Sequence, residues 1–121
     1  MRTLEELYKQ IELTADFSDI KITDPNTKGL FSTKPLHVAA IWGDCDAIQM
    51  LVDAGADINA KGEYGFTPLH DAANQCNKEA VKLLVKLGAK AIKNNDGDLP
   101  SECVIQDECE EIYTFLKYND L

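Results

Sequence analysis

Lysine and arginine are scarce in this chain, twelve against twenty-one aspartates and glutamates, leaving a net charge of −9 over 121 residues. Phosphate binding draws most of its affinity from clustered cations, so this balance argues against nucleic acid and against an anionic membrane surface as partners. The opening stretch MRTLEELYKQIELTADFSD has charges every few residues and no apolar run of signal-peptide or membrane-span length, so a cytoplasmic protein is expected. Histidine occurs only twice. The four cysteines, Cys45, Cys76, Cys103 and Cys109, lie 31, 27 and 6 residues apart with no C-x-x-C pair. Neither a metal site nor a disulfide framework is indicated by that spacing, and reduced thiols used as small apolar residues are expected. G-x-S-x-G, P-loop and G-x-G-x-x-G motifs are all missing, which closes the motif-based routes to acyl transfer and nucleotide binding, and no cofactor is expected.

What is present is enough for a folded core, with 45% hydrophobic residues and 27% charged ones. The chain also repeats itself. Lys34-Pro35-Leu36-His37-Val38-Ala39-Ala40 recurs as Thr67-Pro68-Leu69-His70-Asp71-Ala72-Ala73, an offset of 33 that continues through Leu51/Leu84, Val52/Val85, Gly55/Gly88 and Ala56/Ala89. A weaker third copy begins at Gly97-Asp98-Leu99-Pro100, 32 residues after Gly65-Phe66-Thr67-Pro68. These residues resemble the ankyrin repeat, with its 33-residue period and T-P-L-H-x-A motif. The resemblance implies an all-α solenoid in which each repeat contributes a finger-like turn and two antiparallel helices.

Local chemistry fits that fold. Pro35 and Pro68 suit a first helical turn and Thr67 its N-cap, while Gly43 ends the helix. Asp44 and Asn77 are candidate caps of second helices whose apolar stripes are Ala47, Ile48, Leu51, Val52 and Ala80, Val81, Leu84, Val85. Gly55 and Gly88 close them. Leu4, Leu7, Tyr8 and Ile11 form the stripe of an N-terminal cap helix, and Ile112, Tyr113, Phe115 and Leu116 that of a last helix. One domain over 1–121 follows: residues 1–30 as N-cap helix and long first finger, two well-formed repeats at about 31–61 and 64–94, and a degenerate acidic capping repeat at 95–121.

Three departures from the pattern stand out. Lys34 replaces the capping threonine, Cys76 stands where Gly43 stood one repeat earlier, and Ser101-Glu102 replaces Leu-His in the third copy. Ile20 to Pro35 also spans 15 residues where Ile58 to Pro68 spans 10, so the first connection, TDPNTKGLFSTK, reads as about five residues too long. Its apolar Leu30 and Phe31 make it a candidate partner contact.

Catalysis is not expected. His37 and His70 occupy equivalent positions, the mark of one structural hydrogen bond repeated per module, and the resemblance implies that each bridges a helix start to the adjacent finger backbone. Asp107, Glu108, Glu110 and Glu111 read as a solvated face of the terminal helix.

The resemblance implies instead that another protein binds along the concave face. The matching positions are Phe31, Thr33, Val38, Ile41 and Trp42 in the first repeat and Glu63, Tyr64, Phe66, Asp71, Asn74 and Gln75 in the second, with Asp96 and Asp98 on the third finger. Trp42, Tyr64 and Phe66 are candidate anchors. The carboxylates beside them would complement a basic partner surface, although most of the acidity lies elsewhere: residues 31–94 are neutral, while 95–121 carry eight carboxylates against one lysine. A small acidic domain of this kind resembles immunity proteins that neutralise a toxin or effector enzyme, implying a stoichiometric inhibitor that is a monomer when free. A scaffold or targeting module that recruits a peptide or subunit is the alternative.

Overall fold

Every repeat grows outward from a capped helix start. In helix α4 (Pro68–Asn74), Thr67 Oγ1 accepts the His70 N–H at 3.4 Å and proline occupies the first turn. Helix α2 (Pro35–Trp42) lacks that hydroxyl, and its start is closed by the imidazole alone: the Lys34 N–H donates to His37 Nδ1 at 3.0 Å. α2 ends at Gly43, whose φ of 69° is the left-handed conformation that glycine adopts without cost. Asp44 then caps α3 (Cys45–Asp53) by accepting the Ala47 N–H at 3.0 Å, which contributes about 1 kcal/mol. Asn77 behaves differently from its counterpart. It does not cap α5 (Lys78–Lys86), and its side-chain amide instead donates to Ala40 O and Ile41 O, both at 3.0 Å, tying the second repeat to the end of α2.

The computed structural model describes residues 1–104 and 109–121; Asp107 and Glu108 of the acidic run lie outside the described residues. Among the described residues there are six α-helices and no strand, an all-α solenoid. α2, α4 and a 3₁₀ turn at Pro100–Cys103 stack as one layer, with α3, α5 and α6 (Glu110–Tyr118) behind it. Leu36, Ala39, Ala40, Ile48, Leu51, Leu69, Ala72, Ala73, Val81 and Leu84 are buried between the layers. The alanines let neighbouring helices approach closely. Leu7 and Ile11 of α1 (Leu4–Glu12), with Phe17, close one end of this core, and Ile112 and Leu116 of α6 close the other. Among the described residues, the degenerate third copy thus supplies a short 3₁₀ turn where the other repeats have an inner helix.

The first finger is not long. Asn26 N–H donates to Asp24 Oδ1 at 2.7 Å and Gly29 N–H to Thr33 O at 2.7 Å; Asn59 N–H donates to Asp57 Oδ1 at 3.0 Å and Gly62 N–H to Phe66 O at 2.8 Å. Both bonds therefore recur at the same offset of 33 as the helices. Asn26 Oδ1 also accepts the Asp57 N–H at 2.8 Å, as Asn59 Oδ1 accepts that of Lys90 at 2.9 Å, so each finger is pinned to the next. Asp24, not Ile20, starts the repeat unit, and the additional residues precede the finger.

The cysteines also divide. Cys45 and Cys103 are free thiols, as the sequence implies, but Cys76 and Cys109 are joined in a disulfide across a separation of 33 residues. One repeat period brings equivalent positions of stacked modules side by side, a proximity that local cysteine spacing does not reveal. Cys76 keeps the left-handed backbone of the glycine it replaces, at φ 59°.

Candidate binding face

The inner layer and its fingers carry the expected contact residues, and the backbone decides which of them face solvent. Phe31 and Tyr64 sit one period apart at the tips of 3₁₀ turns Leu30–Ser32 and Glu63–Gly65. Both adopt left-handed φ, 58° and 56°, and both rings are about two-thirds exposed, at 66% and 68%. Bulky residues occupy this region at a cost of about 1 kcal/mol or more. Ile41 and Trp42 at the end of α2, and Asn74 and Gln75 at the end of α4, are also exposed.

Between these elements lies a depression of about 280 Å³. It brings together Thr33, Ile41, Glu63, Tyr64, Phe66, Asp71, Asn74 and Gln75 from the expected set, and adds Asp16 and His37. Phe31, Trp42, Asp96 and Asp98 lie outside it, and Val38 is not a surface residue at all. Its side chain is 5% exposed and packs into the core, because the α2 face that carries it turns toward its neighbours. Thr33 is as deeply buried, at 4%, and contributes only to the wall. Phe66 stacks on His70 with ring centroids 5.5 Å apart, so one face of this ring is already used in packing. Asp98 contributes its carbonyl to His70.

Both histidines are structural. His37 Nδ1 accepts from the Lys34 backbone, and its Nε2–H is shared between Ala60 O at 2.9 Å and Phe66 O at 3.0 Å. His70 Nδ1 accepts the Thr67 N–H at 3.1 Å and Nε2–H donates to Asp98 O at 2.9 Å. With Nδ1 committed as acceptor, each ring must be neutral, and burial lowers the pKa of both. Neither imidazole has a free nitrogen for proton transfer.

Asp71 is the unusual group of the depression. Burial first, and then the carboxylates of Asp16 and Glu63, raise its pKa to about 7. No lysine or arginine lines the depression to offset these three acids. Such a seat attracts a cation or a multiple hydrogen-bond donor; it has no nucleophile paired with a base. The residue that sequence reasoning missed is Asp16, which reaches the site from the 3₁₀ turn Ala15–Phe17 ahead of the repeats, where the 33-residue period gives no signal. A larger but more open depression of about 730 Å³ lies between α5 and α6, beside Phe115 and Tyr118. It gathers no comparable set of desolvated polar groups.

Across residues 4–118 the chain matches the family model for ankyrin repeats in three copies. The chain belongs to the ankyrin-repeat family. No curated protein matches it. Ankyrin repeats generally mediate binding to other proteins and are generally non-catalytic, which agrees with a face of exposed aromatics and carboxylates and with two imidazoles occupied by backbone groups. Among the described residues no cluster of His, Cys, Asp and Glu is arranged to hold a metal ion, and no helix is long and apolar enough to cross a membrane.

Proposed function

We propose that this ankyrin protein binds one partner protein through its concave face and acts as a stoichiometric inhibitor of it, in the manner of an immunity protein that neutralises a toxin or effector enzyme in the cytoplasm. The partner offers a basic segment, and the free ankyrin chain is a monomer. The observation that carries this reading is the depression at the centre of the face: three carboxylates, one of them pushed to about 7, with no cation and with the exposed Tyr64 ring at its rim. A charge desolvated in this way gains most from an arriving cation, and an exposed ring beside it supplies the apolar contact that anchors an interface. Phe31, Trp42, Asp96 and Asp98 extend the contact on either side.

The test is titration of the co-purified partner. Saturating ankyrin protein should abolish the partner's activity, and Tyr64→Ala should weaken binding by about 2 kcal/mol or more while leaving the fold intact. A saturated partner that keeps full activity would remove the inhibitor reading in favour of a scaffold. Unchanged affinity in both Tyr64→Ala and Trp42→Ala would remove this face as the interface.

A further inference from the structure

The disulfide between Cys76 and Cys109 plays no part in the concave face, and its setting is not that of an inaccessible staple. It joins the turn between α4 and α5 to the residue before α6, with Cα atoms 5.8 Å apart. Cys109 is 5% exposed, whereas Cys76 is only half-buried. A depression of about 190 Å³ opens onto the bond, walled by Lys78, Glu110, Glu111 and Ile112. This depression, lined by both cysteines, gives a small thiol a route to the bond from solvent, and Cys76 is the more exposed of the two residues.

What each side of the bond would do without it also differs. The α4–α5 turn is held independently, because the Asn77 N–H donates to Ala72 O at 3.0 Å and the Asn77 side chain is fastened to α2. α6 is held mainly by packing: the apolar contacts of Ile112, Tyr113, Phe115 and Leu116, Lys82 over the Phe115 ring, a Ser101 N–H to Leu121 O bond at 3.2 Å, and an exposed Lys78–Glu111 ion pair at 2.5 Å. Burial, and then neighbouring carboxylates, raise the Cys45 and Cys103 thiols and so lower the fraction of each that is thiolate.

We infer that Cys76 and Cys109 form a reversible redox clasp that fastens the C-terminal cap helix to the array and releases it when a small-molecule thiol of the glutathione class reduces the bond. The incoming thiolate attacks Cys76 Sγ, the Cys76–Cys109 bond breaks, and Cys109 leaves as a thiolate that takes up a proton from solvent. A second small thiolate then attacks the sulfur of the small thiol bound to Cys76, and Cys76 leaves as a thiolate, so that two thiols become one small-molecule disulfide. Two electrons and two protons thereby pass to the cysteine pair. Oxidation by the same small-molecule disulfide runs the steps in reverse. Reduction leaves the repeats folded and frees α6 to open, uncovering the apolar end of the solenoid that Ile112 and Leu116 close.

Hydrogen exchange of the full chain, equilibrated in buffers of reduced and oxidised glutathione, tests this. Reduction should lower protection of α6 amides by about tenfold or more while α2 and α4 amides keep theirs. Equal loss throughout the chain would make the bond a global staple and overturn the clasp; unchanged α6 protection, or failure of the bond to form at any glutathione ratio, would overturn it as well. Order of attack is read separately by mass spectrometry. Cys109→Ser should accumulate a glutathione adduct on Cys76 at least tenfold faster than Cys76→Ser does on Cys109, and equal rates would refute the assigned order.

Discussion

Three groups titrate differently in the folded and unfolded chain, and together they fix how stability responds to mild acid. His37 and His70 are lowered by burial, and each accepts a backbone N–H that a protonated ring would oppose. A lowered base contributes stability that is complete above its ordinary value of about 6.5 and is lost as pH falls below it. Asp71 has the opposite sign: raised from 3.8 to about 7, it contributes stability that is complete below its ordinary value and lost as pH rises toward 7. At pH 5.5 Asp71, protonated in the fold, would release about one proton on unfolding, while the imidazoles, lowered in the fold, would take protons up. The imidazoles therefore favour stability that rises toward neutrality, and Asp71 opposes them. Asp71→Asn removes the opposing proton, and the slope should shift by about 1.4 kcal/mol per pH unit toward stability rising with pH. Urea denaturation of the disulfide-intact protein at intervals between pH 5 and 6.5, followed by far-ultraviolet circular dichroism, measures both slopes. The other shifted groups titrate outside this range, Glu111 below it and Tyr8, Lys78, Cys45 and Cys103 above it. Identical slopes in the two proteins would show that Asp71 is ionised in the fold. A slope near zero or negative in Asp71→Asn would show that the imidazoles are not held neutral.

Two backbone positions give further expectations. A Cβ on Gly62 would lie 3.0 Å from both Cε1 and Nε2 of His37, so Gly62→Ala should push the ring off its carbonyls and cost about 1–3 kcal/mol in urea denaturation; an unchanged midpoint would refute that close packing. Tyr64→Gly removes a bulky side chain from a left-handed, solvent-exposed fingertip, so thermal stability should hold or rise by about 1 kcal/mol while partner affinity falls. A clear loss of stability would mean that the ring packs and does not wait for a partner.

Much of the fold was legible because the repeat writes the same physical solution twice. Pro35/Pro68, His37/His70 and Gly55/Gly88 each serve one backbone task per module, and a task repeated in register is visible as identity at one offset. The first finger was misread for a related reason. Anchoring it on Ile20 used an apolar residue, which many positions share, whereas Asp24-x-Asn26-x-Lys28-Gly29 matches Asp57-x-Asn59-x-Lys61-Gly62 at the same offset of 33. Those polar residues carry the side-chain bonds that shape the finger and fasten it to the next, so they are the more discriminating register marks.

The parts that stayed hidden depend on contacts between modules or on residues outside the period. Val38 was placed on the concave face because its position in the motif matches Asp71, yet the two side chains meet different surroundings: Val38 packs into the core, while Asp71 borders a depression shared with Asp16 and Glu63. Equivalence along a repeat fixes the backbone and leaves the environment of each side chain to its neighbours. The same logic applied to cysteine gives a usable rule. Gly43, Cys76 and Cys109 follow one another at one-period steps, and stacked modules place such steps side by side, so a pair of cysteines separated by the repeat length is a bridging candidate even though no C-x-x-C motif announces it. Cys45 and Cys103 are 58 residues apart, which is no multiple of the period, and both remain free.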